Sequence, residues 1–142
     1  IDNKKYFEKC KEMLDKSTNI EYKFTGSVLH NKIGKQFKDV NYFILPTFHE
    51  NFGHVIVESL SNKTPVIISE NTPFKGLEKL GFGYDLSLND KKGWIDTLGY
   101  LAKESNLEYQ KKIKTLEKNF VLYMNNTELI KKYQQLLSDE KS

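Results

Sequence analysis

The chain contains a single cysteine, Cys10, and cannot close an internal disulfide. A small secreted scaffold stapled by disulfides is thereby excluded. Cys10 falls on the apolar side of a helical pattern and reads as a small core residue. No stretch approaches the apolar length of a membrane span. No signal-peptide pattern is visible, and the first residue is Ile1 rather than Met. Charge of one sign is lacking too: 22 basic residues face 19 acidic ones, for a formal net charge of +3. So small an excess gives no reason to expect a nucleic-acid partner. His, Cys, Asp and Glu show no metal-ligand spacing, so no metal is expected. There is no internal repeat and no low-complexity linker.

What is present suits one globular domain. The 142 residues are 38% hydrophobic and 29% charged. A chain of this length can bury roughly 70% of its extended surface. Helical spacing of Tyr6, Phe7, Cys10, Met13 and Leu14 predicts a helix from about Asn3 to Lys16. Ile20 to Phe24 alternates with charge and reads as a strand. A short amphipathic helix is expected over Lys32 to Val40. Asn41 to Leu45 is aromatic and β-branched, stops at Pro46, and reads as a buried strand. Phe52 to Asn62 is a predicted helix with its core stripe on Phe52, Ile56 and Leu60. Pro65 to Ser69 is a second buried strand, since Pro fits only its first position. A short helix follows Pro73, and Tyr84 to Leu88 is a weak strand. Three helical pieces close the chain: Lys91 to Lys103, capped by Asp90, then Leu107 to Met124 and Thr127 to Ser138.

Short apolar strands alternating with helices predict an α/β fold: a Rossmann-like parallel sheet of about four strands, with helices on both faces. Ligands of such sheets bind beyond the carboxyl ends of the strands. The loops to watch are therefore Thr25 to Asn31, Pro46 to Asn51 and Ser69 to Thr72.

One segment carries chemistry: Leu45-Pro46-Thr47-Phe48-His49-Glu50-Asn51-Phe52-Gly53-His54-Val55-Ile56-Val57-Glu58. It runs from strand end through loop into helix. The free N–H groups and dipole of a helix's first turn attract anions or polar oxygens there. Gly53 would admit a ligand close to the backbone. Glu50 and Glu58 could hold two ends of one extended ligand. Spacing alone equally allows two ordinary solvated glutamates.

The wording of the segment resembles the donor motif of glycosyltransferase family 4, retaining enzymes of the GT-B architecture. Its mark, two glutamates separated by seven residues, is matched by Glu50 and Glu58. Thr64-Pro65-Val66-Ile67-Ile68-Ser69, Thr72-Pro73-Phe74 and Gly81-Phe82-Gly83 follow in the family's order. Tyr133 to Leu137 is similar to its last helix. The resemblance implies an enzyme that transfers a sugar from a UDP- or GDP-linked donor, without metal or other cofactor. Glu50 would be the catalytic-site carboxylate, contacting donor-sugar hydroxyls. Thr47 and the backbone at Asn51, Phe52 and Gly53 would line sugar and distal phosphate. Glu58 would accept both ribose hydroxyls, with Val55 near the nucleoside. Gly26, Ser27 and Val28 would line the base. His54 would contact the donor by its side chain or supply only a helix-start amide. His49 and His30 receive no role.

The family's donor domain opens with two strands, a glycine-rich turn and an Arg/Lys phosphate clamp, none of which precedes Ile1. Residues 1–142 are thus expected to form a single incomplete C-terminal donor-binding domain, inactive alone. The partner implied is an acceptor-binding N-terminal domain of the same chain, and the acceptor a glycan, lipid-linked or small molecule. A sheet edge left open would favour self-association. A cytoplasmic enzyme is expected, with peripheral membrane contact of the parent through a basic surface; the Lys-rich stretch from Lys103 to Lys118 is more simply a solvated face. The alternatives are a non-catalytic α/β ligand-binding or interaction module and a sugar-nucleotide epimerase-like domain, which the Glu50/Glu58 pair disfavours.

Overall fold

The computed structural model of the chain describes residues 4–126, apart from the side chains of residues 30 and 31. The helix expected over Thr127 to Ser138 lies outside the described residues. The chain divides into two compact units, Ile1–His30 and Asn31–Ser142.

The first unit is built on helix α1 (Lys4–Asp15). None of its residues is fully buried. Cys10 is therefore a half-buried surface residue, not a core residue. Some thirty residues offer too little mass to bury a helix face. The strand expected at Ile20 to Phe24 is absent. Its aromatic residues stack instead: Phe24 lies 4.7 Å from Phe7 and 5.3 Å from Tyr22, ring centre to ring centre. The Tyr22 hydroxyl donates to the Asp15 carboxylate at the end of α1. Alternation here places rings for these contacts; a strand needs ladder hydrogen bonds as well, and this segment makes none.

The second unit contains a parallel sheet in the order β1-β2-β3, from Phe43–Leu45, Val66–Ser69 and Gly83–Leu86. The sheet has three strands among the described residues, not about four. Helix α2 (His30–Gln36) precedes β1, α3 (His54–Ser61) joins β1 to β2, and α4 (Leu77–Leu80) joins β2 to β3. Helices α5 (Lys91–Leu101) and α6 (Asn106–Met124) follow. The expected α/β Rossmann-like class is the class found.

Strand β2 is central and every residue of it is buried. Val66 and Ile68 face one side, in a cluster with Ile56, Leu60, Phe82 and Leu116. That cluster seats α3 and α6 on the sheet. Ile67, also buried, points to the opposite face by strand alternation. A strand covered on both faces must be apolar throughout, which is why Val66-Ile67-Ile68 carries no alternation. Gly83 sits at φ +136, and a Cβ there would run into the Val66 carbonyl. Only glycine lets β3 open its pairing with β2 at this register.

Helix α3 begins two residues later than its apolar stripe suggests. Gly53 takes a left-handed φ of 69° at the N-cap, which takes Phe52 out of the helical phase. Ile56, Ser59 and Leu60 remain buried. The helix closes in a Schellman turn: the Thr64 amide donates to the Ser59 carbonyl and the Lys63 amide to the Leu60 carbonyl, both at 3.0 Å. Asp90 caps α5 as expected, accepting from the Gly93 amide at 2.9 Å. Ser105 and Glu108 form a capping box on α6.

Candidate functional site

The parallel order places the β1–α3 loop and the β2–α4 loop at the same end of the sheet, beyond the strands' carboxyl ends. Two hydrogen bonds fasten these loops together. The buried Ser69 hydroxyl, at the end of β2, donates to the Thr47 carbonyl. The Glu50 amide donates to the Asn71 carbonyl at 3.2 Å. Within the first loop, the Thr47 hydroxyl donates to the His49 carbonyl at 2.8 Å and accepts from the His49 amide at 3.3 Å. The Thr72 hydroxyl likewise accepts from the Phe74 amide at 3.2 Å. The loop leaving β1 is thus held on both sides of Phe48.

Glu50 is half-buried, and its carboxylate turns toward α3. Its Oε1 accepts from the Phe52 amide at 3.3 Å and the Gly53 amide at 3.0 Å. This carboxylate occupies the amides of the turn just ahead of the helix, where a negative charge also faces the helix's positive end. A ligand oxygen would share or displace it there. Gly53 has a packing role as well: a Cβ on it would come 2.7 Å from the Phe74 ring. His54 is exposed, with its ring 5.7 Å from that of Phe52. Asn51 is exposed, and Val55 and Glu58 are half-buried on α3. Glu58 stands four residues into the helix, about 6 Å along the axis from His54.

Thr47, Glu50 to Val55 and Glu58 thus share one loop–helix junction of the second unit. Gly26, Ser27 and Val28 belong to the first unit. There Gly26 is left-handed at φ +66, Ser27 is exposed and Val28 is half-buried. Among the described residues no three His, Cys, Asp or Glu side chains gather as metal ligands.

A second polar cluster joins the residue before β1 to α6. Lys112 Nζ lies 2.7 Å from Glu104 and 2.9 Å from the Tyr42 hydroxyl, which itself donates to Glu104 at 2.5 Å. The Glu104 side chain is only 4% exposed, so its charge has to be met inside the protein. Lys112 also rests over the rings of Tyr42 and Tyr84, at 5.3 and 5.6 Å. Burial and the bond to Glu104 push the Tyr42 hydroxyl far above its ordinary range. Burial opposes the Lys112 charge, yet its bonds to Glu104 and Tyr42 outweigh that and hold the ammonium well above its usual value. A surface cavity of about 400 Å³ beside it is lined by Asn41, Tyr42, Glu104 and Tyr109 among others. With its charges mutually satisfied, this cluster locks α6 to the sheet.

The family model for group 1 glycosyl transferases matches residues 1–119. The chain belongs to that family. No curated protein matches it at a significant level. Membership of this glycosyltransferase family implies a sugar donor and an acceptor as substrates. No described helix is long and apolar enough to cross a membrane.

Sequence reasoning missed the residues that fasten the transferase loops. Ser69 and Asn71 fall in a loop flagged by topology, but nothing in their spacing ties them to Thr47 and Glu50. Phe74 was legible only as part of a motif. Its ring, 3% exposed, fills the space that Gly53 leaves.

Proposed function

We propose that this domain is the nucleotide-sugar-binding part of a retaining family 4 glycosyltransferase of the GT-B type. The observation that carries the reading is the junction at Glu50. Two loops from adjacent carboxyl ends are fastened together there, around a carboxylate and a helix start, with a second carboxylate further along the same helix. Glu58 accepts the ribose hydroxyls of the donor. The first turn of α3 meets the distal phosphate and the sugar. Glu50, oriented by the Phe52 and Gly53 amides, accepts from sugar hydroxyls beside the reacting carbon. The sugar leaves its diphosphate with net retention, and basic groups stabilise the departing charge without a metal. The chain has no arginine, so any such side chain within residues 1–142 is a lysine or a histidine.

NMR titration of the chain with UDP, GDP, ADP and their sugar conjugates tests this. Shifts should concentrate at Glu50 to Glu58, and Glu58→Ala should weaken binding by about tenfold to a hundredfold. That range follows from losing charge-assisted hydrogen bonds of roughly 1.5–3 kcal/mol. Nucleotide binding of equal strength in wild type and Glu58→Ala would sink the assignment.

A further inference from the structure

Phe48 is 87% exposed, more than any other large hydrophobic residue described. Its neighbours leave it little freedom to turn inward. The Thr47 carbonyl is held by Ser69, the Thr47 hydroxyl and the His49 amide are paired, and the Glu50 amide is tied to Asn71. A fixed loop therefore presents a bare ring to solvent, where burial would have been favourable. The ring stands two residues before Glu50, beyond the carboxyl end of β1. In the proposed donor orientation the ribose lies toward Glu58 and the transferred sugar toward Glu50. Phe48 belongs to the same loop as Glu50, the part of the site that this orientation assigns to the sugar.

We infer that Phe48 is a platform for the apolar face of a pyranose ring. A hexopyranose presents C–H groups on one face and hydroxyls around its rim. An aromatic ring takes the first by area and polarisation, and a neighbouring carboxylate takes the second. Glu50 and Phe48 supply both within three residues of chain. The inference rests on the donor-site reading. The pyranose belongs either to the donor or to the incoming acceptor.

Two arms of one experiment separate these sources. The first compares UDP and GDP with UDP-glucose, UDP-N-acetylglucosamine and GDP-mannose on wild type and Phe48→Ala. The second titrates methyl glucoside, methyl mannoside and methyl N-acetylglucosaminide onto the nucleotide-loaded proteins. Phe48→Ala should leave binding of the bare nucleotide and the melting temperature unchanged. It should weaken one sugar arm by about threefold to tenfold, the scale of a single aromatic contact, and Phe48→Tyr should retain it. A loss confined to the nucleotide-sugar arm assigns the donor sugar; a loss confined to the glycoside arm assigns the acceptor. Unchanged sugar binding in both arms, with nucleotide binding intact, overturns the platform alone. Failure of wild type to bind any nucleotide overturns the donor-site reading and the platform with it.

Discussion

The Glu50 carboxylate accepts from the Gly53 amide at 3.0 Å, so the residue proposed to face the sugar also holds the turn that leads into the helix carrying Glu58. These two roles separate by substitution. Glu50→Gln keeps an oxygen acceptor for the amides, and Glu50→Ala does not. Glu50→Ala should lower stability by about 1 kcal/mol, the net scale of such hydrogen bonds, and Glu50→Gln by less. Both should weaken nucleotide-sugar binding relative to the bare nucleotide. Urea unfolding and parallel titrations check the pair; equal unfolding midpoints for all three proteins would remove the turn-holding role.

Gly53→Ala meets two obstacles. The left-handed φ of 69° costs a non-glycine residue about 1 kcal/mol, and the new methyl collides with the Phe74 ring. Together they should destabilise by roughly 2–4 kcal/mol. Combining Gly53→Ala with Phe74→Leu should recover only the collision part. A double-mutant cycle from urea melts measures that coupling, and simple additivity would count against the contact.

Lys63, at φ 63°, is a described non-glycine residue in the left-handed region, at the turn that ends α3. Lys63→Gly should relieve about 1 kcal/mol of strain. It gives up an exposed ion pair with Glu117 worth a few tenths of that. A net gain of about 0.5 kcal/mol is expected by thermal or urea unfolding; a loss would mean the ion pair dominates.

The Tyr42–Glu104–Lys112 cluster makes stability depend on alkaline pH. Both Tyr42 and Lys112 have folded values raised above their ordinary 10.0 and 10.5. Above about pH 10 the unfolded chain therefore holds fewer protons than the folded one. Their contribution is complete below pH 10 and declines as pH rises beyond it. Unfolding midpoints followed from pH 8 to 11 should fall, and Tyr42→Phe with Lys112→Met should flatten that fall. Removing Lys112 alone should cost about 1–3 kcal/mol at neutral pH, because Glu104 is left buried without its cation.

The sequence by itself determined the class of this protein and carried the motif of its family. A strand buried on both faces has to be apolar at every position, so Val66 to Ile68 announced the parallel sheet. Periodicity found α5 and α6, and Asp90 marked the start of the first. The Glu50 and Glu58 motif, set where a strand runs into a helix, pointed to the loop where the family's chemistry is expected. Only the tertiary structure decided how that loop is held. Hydrogen bonds such as Ser69 to Thr47 and Glu50 to Asn71 join residues about twenty apart, and no local pattern encodes them. The same holds for the pairing of Tyr42 with Glu104 and Lys112. Helix α3 lost Phe52 because Gly53 adopts a left-handed turn that Phe74 packs against, a choice invisible to a 3.6-residue period. Ile20 to Phe24 alternates like a strand, yet its rings pack on one another and on α1. Alternation fixes where side chains point; a partner strand, which belongs to the tertiary structure, decides whether they form a sheet.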